Sequence, residues 1–102
     1  MELSVLWTDT AKFQLKGIYN YHKKKANKTI AKKLVKSIIE RTIQLAKNPN
    51  SGPKEQIPSE KNFDYRYLVE GNYKIIYWIQ DVNVTIAMVF DCRQNPEKIK
   101  SL

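Results

Sequence analysis

Hydrophobic and polar positions alternate most clearly late in the chain. The runs YRYLV, YKIIYWI and VTIAMVF are rich in aromatic and β-branched residues and are separated only by EGN and QDVN. Runs of this kind with short polar breaks predict three consecutive antiparallel strands, a β-meander. Seven of the chain's aromatic residues fall between Phe63 and Phe90, so burial of this sheet dominates folding. Earlier, Leu3, Val5 and Trp7 alternate with Ser4 and Leu6, which predicts a short first strand. Thr8 reads as a helix cap, with Asp9 in the first turn where its negative charge meets the positive end of the helix dipole. Ala11, Leu15, Ile18 and His22 then recur at helical spacing on one stripe, with Lys12, Lys16 and Lys23 off it. KKKANK breaks that helix, and Asn27 is placed to cap the next.

The second helix has a continuous apolar face through Ala31, Leu34, Val35, Ile38, Thr42, Leu45 and Ala46, widened by Ile39 and Ile43. A band that broad implies burial against two neighbours, the first helix and the sheet. Asn48-Pro49 ends it, and NPNSGPKEQIPSEKN follows as a polar loop without strand or helix period, carrying Lys54 and Lys61 towards the sheet. At the other end of the chain, Asn95-Pro96-Glu97 has the pattern of a helix start and predicts a short terminal helix. The order is β-α-α-β-β-β. This is an α+β, two-layer fold with a helical hairpin packed on a small, mostly antiparallel sheet, and 102 residues suit one domain spanning 1–102.

Composition adds a strong charge asymmetry. Residues 1–62 hold 13 Lys or Arg against 5 Asp or Glu, whereas residues 63–102 hold 5 of each, so the net charge of +8 lies wholly in the first part. Such a field attracts polyanions or an acidic protein. An AT-rich genome that fills solvated helix faces with lysine explains the same numbers. By that reasoning the three arginines, Arg41, Arg66 and Arg93, are the cations least explained as filler. Cys92 is the only cysteine, which excludes an intramolecular disulfide and suits a reducing cytoplasm. No apolar run reaches the roughly 18 residues of a membrane span, so a cytoplasmic protein without membrane partners is expected.

Candidate chemistry is narrow. One His and one Cys do not make a metal site, Gly17, Gly52 and Gly71 are too isolated for a phosphate loop, and no cofactor is expected. His22 lies on the packed helix stripe, which argues against a Cys/His dyad. What remains is the sheet face opposite the helices. By the period of two, Arg66 shares a face with Leu68, Lys74 with Ile76 and Trp78, and Asp91 with Arg93. If these sets converge, two guanidinium groups, lysines, an acid and aromatic rings form a surface suited to phosphate and to stacked bases. Surface ion pairs linking Asp91 and Glu70 to Arg66, Arg93 and Lys74 account for the same residues without any site.

The arrangement YRYLVEGNYKIIYWI and VTIAMVFDCRQNP, preceded by a helical hairpin ending LAKNPNSG, resembles the RelE/ParE superfamily of toxins from bacterial type II toxin-antitoxin modules. The resemblance runs from the opening strand into WTDTA through to Arg93. It implies a plasmid-stabilising toxin that arrests growth and is held inactive by a cognate antitoxin protein. The long hairpin is similar to ParE-like members, which inhibit DNA gyrase and are not enzymes. RelE-like members are instead mRNA interferases that cut transcripts on the ribosome. For that second activity the resemblance matches Arg66 and Arg93 to catalytic arginines and places Lys54 and Lys61 where basic residues of that site occur; Asp91 would then be the group that handles the proton, and Lys74 and Trp78, from the sheet face, join Lys54, Lys61, Arg66 and Arg93 as expected target-binding residues. Two departures favour the ParE-like reading: QNPEKIKSL offers no terminal Tyr or His, and Asp91 stands where relatives commonly carry His, with Glu97 the other nearby acid. A degenerate homologue that only binds antitoxin is the third reading.

Overall fold

The computed structural model describes residues 2–57 and 63–93. Lys61 and the Asn95-Pro96-Glu97 helix start therefore lie outside the described residues. The order of elements is β1 (Ser4–Trp7), α1 (Asp9–Lys25), α2 (Lys28–Ile43), a 3-10 turn (Gln44–Ala46), β2 (Asp64–Glu70), β3 (Tyr73–Gln80) and β4 (Asn83–Asp91).

Local signals set the boundaries. Thr8 caps α1 through its side-chain oxygen, which accepts from the Ala11 N–H at 3.1 Å, while its hydroxyl reaches the Ile86 and Ala87 carbonyls of β4. One threonine thus starts the helix and ties that start to the sheet. Asn27 caps α2 in the same way, accepting from the Ile30 N–H at 2.9 Å. Both meander turns use a residue at positive φ, Gly71 at 60° and Asp81 at 54°. These are conformations that glycine adopts freely and aspartate tolerates better than most residues.

The sheet runs in the order β1-β4-β3-β2, with β1 parallel to β4 and the other pairs antiparallel. β3 and β4 form its centre. On the helix side, Tyr73, Ile75, Tyr77, Val84, Ile86 and Val89 pack with Ala11, Ile18, Ile38 and Leu45. The other side carries a second cluster, in which Tyr65, Ile76, Met88 and Phe90 are buried with Trp78, Tyr67 and Phe63 against them. The expected polar, cation-bearing face is thus an aromatic and aliphatic layer. The reason is visible in YKIIYWI, where Lys74 is the sole charged residue, so that strand has no polar face to turn outwards.

The outer strand β2 has its free edge covered. Tyr67 donates its N–H to the Pro53 carbonyl at 3.1 Å, the Glu55 N–H donates to Tyr65 at 2.9 Å, and Lys54 bridges Arg66 antiparallel. The loop without apparent period therefore contributes a scrap of strand, which protects an edge otherwise open to mispairing. The broad apolar band of α2 is only partly buried. Ala31, Ile38, Thr42 and Leu45 lie inside, but Ile43 is 59% exposed, because the band spans more of the helix circumference than its two neighbours cover. No helix among the described residues is long and apolar enough to cross a membrane.

Ile38→Ala is expected to cost about 3 kcal/mol through the cavity it leaves, whereas Ile43→Ala stays within about 0.5 kcal/mol. Urea denaturation of the two variants measures both; equal losses would contradict the assignment of Ile38 to the core and Ile43 to the surface.

Candidate functional site

The predicted site residues fall into three separate places. Arg66 pairs in register with Tyr77, and Tyr77 belongs to the helix-side core, so Arg66 lies on the helix side of the outer strand and not on the opposite face. Its guanidinium donates to the carbonyls of Gly52 at 2.9 Å and Asn50 at 3.3 Å, and its Nε lies 3.4 Å from the Asp64 carboxylate. Tyr77 holds the same turn from below, where its hydroxyl donates to the Pro49 carbonyl at 2.8 Å and accepts from the Gly52 N–H at 3.1 Å. The Asn-Pro-x-x-Gly exit from the hairpin is thus clamped by one arginine and one buried tyrosine. Gly52 is obligatory there, since an added Cβ would sit 2.2 Å from the Tyr67 carbonyl oxygen and 2.8 Å from the Tyr77 hydroxyl. Burial pushes the Tyr77 phenol pKa up, which keeps its proton in place for the Pro49 bond.

Asp91 and Arg93 lie at the far end of the sheet. Asp91 pairs with Tyr73, four positions along β3 from the partner of Arg66 and two strands across. At about 3.3 Å per residue and about 4.8 Å per strand, the backbones of Arg66 and Asp91 are about 16 Å apart. Arg93 bonds Asp91 bidentately, at 2.9 Å through Nε and 2.6 Å through Nη2, and its backbone N–H adds a third bond at 2.8 Å. These bonds from Arg93, side chain first, lower the Asp91 pKa from 3.8 to about 2. The pair in turn raises the Arg93 pKa above its ordinary value. Asp91 is thus a fixed anion holding Arg93, ill suited to take and return a proton near neutrality.

Lys74 and Trp78 occupy the third place, the face opposite the helices. Lys74 forms an ion pair with Glu55 at 2.6 Å and lies 4.3 Å from the centre of the Tyr67 ring. Trp78 stacks on Phe63 at 4.7 Å and meets Tyr65 edge-on at 5.9 Å. Lys54, exposed, is bridged to Arg66 in register, so the fold brings these two predicted cations side by side. The anticipated convergence of Arg66 with Arg93 does not occur. The local ion-pair reading fits better, with altered partners: Arg66 takes Asp64, Lys74 takes Glu55, and Glu70 takes Arg41 at 3.4 Å.

Sequence reasoning missed Tyr77, Gly52 and the group around Tyr73. The Tyr73 hydroxyl and His22 Nε2 share a 2.7 Å hydrogen bond, and burial, followed by the charge of Asp91, raises the tyrosine pKa. A usable signal for Tyr77 existed: a tyrosine inside an otherwise aliphatic buried strand needs a partner for its hydroxyl, and a proline-glycine turn offers free backbone groups.

Two measurements follow from this geometry. Tyr77→Phe, which strands a buried N–H and carbonyl, is expected to cost about 1–3 kcal/mol in urea denaturation, and Gly52→Ala to cost more; wild-type stability in both would refute the clamp. In a carbon-detected NMR titration the Asp91 carboxyl should have its midpoint near 2, moving back towards 3.8 in Arg93→Ala. Because the folded pKa is depressed, the stabilisation from this pair is complete above the ordinary carboxylate range and is lost as pH falls through about 2. An Asp91 midpoint unchanged by Arg93→Ala would remove the arginine as its cause.

Comparison with known proteins places this architecture. No curated protein matches the chain. Among solved structures, a chromosomal ParDE toxin-antitoxin system from P. aeruginosa superposes with a TM-score of 0.73 at 23% identity, over 88% of this chain and 96% of that one. The RelBE2 toxin-antitoxin complex from Mycobacterium tuberculosis gives 0.65 at 19% identity, over 89% and 99%. The YoeB dimer from Staphylococcus aureus gives 0.54 at 21%, over 86% and 94%. These likenesses establish the fold. The family described as ParE toxin of type II toxin-antitoxin system, parDE, matches residues 5–96, and the chain therefore belongs to the ParE toxin family.

Proposed function

We propose that this toxin arrests growth by binding its target, DNA gyrase, and carries out no chemistry of its own. The observation that supports this reading is the dispersal of its cations. Cutting RNA through attack by a ribose hydroxyl requires cations gathered around one phosphate and a group able to move a proton. Here Arg66 is spent on the turn at Asn50 and Gly52, Arg93 on Asp91, and Lys74 on Glu55, at three separate places. An inhibitor that works by surface complementarity needs none of these groups to converge. What it does need is a rigid scaffold, which the two-sided packing of the sheet supplies.

Neutralisation by a cognate antitoxin belongs to the same reading. The hairpin carries eleven basic residues and one acid between Lys12 and Lys47, and an acidic partner gains by lying against them. The similar ParDE and RelBE2 structures are themselves toxin-antitoxin systems.

The deciding experiment adds purified protein to a gyrase supercoiling reaction and, in parallel, to a ribosome-dependent translation reaction with end-mapped transcripts. Inhibited supercoiling with intact transcripts is expected. Cleaved transcripts with unimpaired supercoiling would overturn the proposal in favour of an mRNA interferase, and the absence of both effects would leave a homologue that only binds antitoxin.

A further inference from the structure

We propose that the groove between α1 and α2 on the outer face of the hairpin, with an apolar floor and a bank of lysines along each side, docks an acidic amphipathic helix of the target protein. The inference rests on the gyrase-binding reading above and gives that binding a place on the molecule.

The groove holds about 410 Å³, and every residue lining it comes from the two helices and none from the sheet. Its floor is Tyr19 from α1 with Val35, Ile39 and Ile43 from α2. Ile38, next along the helix from Ile39, turns into the core, and the apolar band of α2 runs on past what α1 and the sheet cover, to Ile43 at 59% exposure. Lysines flank this floor on both sides. Lys32 and Lys36 line the groove directly, with Lys28 one turn before them. On α1, Lys12, Lys16 and Lys23 lie seven, three and four positions from Tyr19 and so share its stripe. All six are exposed.

These lysines are not balanced from within. Lys36 pairs with Glu40 at 3.9 Å, and the other five form no ion pair among the described residues. Lys12 with Lys16, Lys28 with Lys32, and Lys32 with Lys36 are like charges four positions apart, an arrangement that destabilises a helix. An anionic partner relieves that repulsion. The floor and the banks together select its kind. Duplex DNA offers the charge but no apolar stripe to set on Tyr19, Val35, Ile39 and Ile43, and a second copy of this chain, at net charge +8, brings the same cations. A helix with apolar residues at i, i+4 and i+7 and acids on either side matches both features, in the manner of a helix laid in a groove.

The test measures, by calorimetry, the binding of DNA-free gyrase holoenzyme to the full-length wild-type protein, to the double variant Lys16→Glu with Lys32→Glu, and to Ile43→Gln. The two reversals set a carboxylate four residues from Lys12 and from Lys28 and Lys36, so the double variant should melt at or above the temperature of wild type. Affinity is expected to fall at least about tenfold in each variant, as for loss of an interface anchor. Wild-type binding should also weaken more steeply with added salt than that of the double variant. Undiminished binding by both variants would overturn the groove while leaving the gyrase reading intact. If wild-type protein neither binds gyrase nor inhibits supercoiling, the gyrase reading falls and takes the occupant with it. A loss confined to the double variant, with Ile43→Gln binding as wild type does, would make the attachment a general attraction between charges and overturn the docked helix. Binding of a short DNA duplex as tightly as gyrase, abolished in the double variant, would make the occupant DNA and overturn it equally.

Discussion

The structure depends on β3 being apolar on both of its faces. Ile75 and Tyr77 point into the helices while Ile76 and Trp78 point the other way, and β4 repeats the pattern with Val89 and Met88. A strand of this composition cannot leave one side in water, so the sheet needs cover on both. Helices α1 and α2 supply one layer. On the other side the aromatic residues of β2 and β3 close over Ile76, Met88 and Phe90.

That constraint decides where charge can go. With the middle of the sheet committed to apolar packing, Arg66 and Arg93 lie at its margins, where Arg66 takes Asp64 and the loop carbonyls of Asn50 and Gly52 and Arg93 takes Asp91. Arg66 becomes the upper half of a clamp on the turn at 49–52, with Tyr77 as the lower half, and Arg93 becomes the donor that fixes Asp91. Such roles are structural, and they agree better with a toxin that acts through its surface than with one that gathers charge around a scissile bond.

Much of the fold was legible because it rests on short-range rules. Thr8 and Asn27 cap helices as their side chains dictate, the EGN and QDVN breaks make tight turns, and alternation within the meander gives the strands. Arg66 was correctly paired with Leu68, Lys74 with Ile76 and Trp78, and Asp91 with Arg93. Which of these sets faced the helices was not legible, because β3 has no polar side to orient it. The separation of Arg66 from Arg93 was hidden for a related reason: it is a matter of register across three strands, and hydrophobic pattern fixes the face of a strand better than its offset. The loop at 53–55 escaped notice as an edge cover because its pairing with β2 is long-range and leaves no periodic trace.

Arg66 and Arg93 are satisfied independently, the first by the turn at Asn50 and Gly52 and the second by Asp91, and a double-mutant cycle tests this most directly. Stabilities of wild type, Arg66→Ala, Arg93→Ala and the double variant would be measured by urea denaturation, with growth arrest read alongside. Distant sites without shared partners are additive to within about 0.5 kcal/mol, and that additivity is the expected result. A coupling energy above about 1 kcal/mol, or a double variant no less toxic than the weaker single one, would show the two guanidinium groups acting as a unit and contradict the separation on which the account is built.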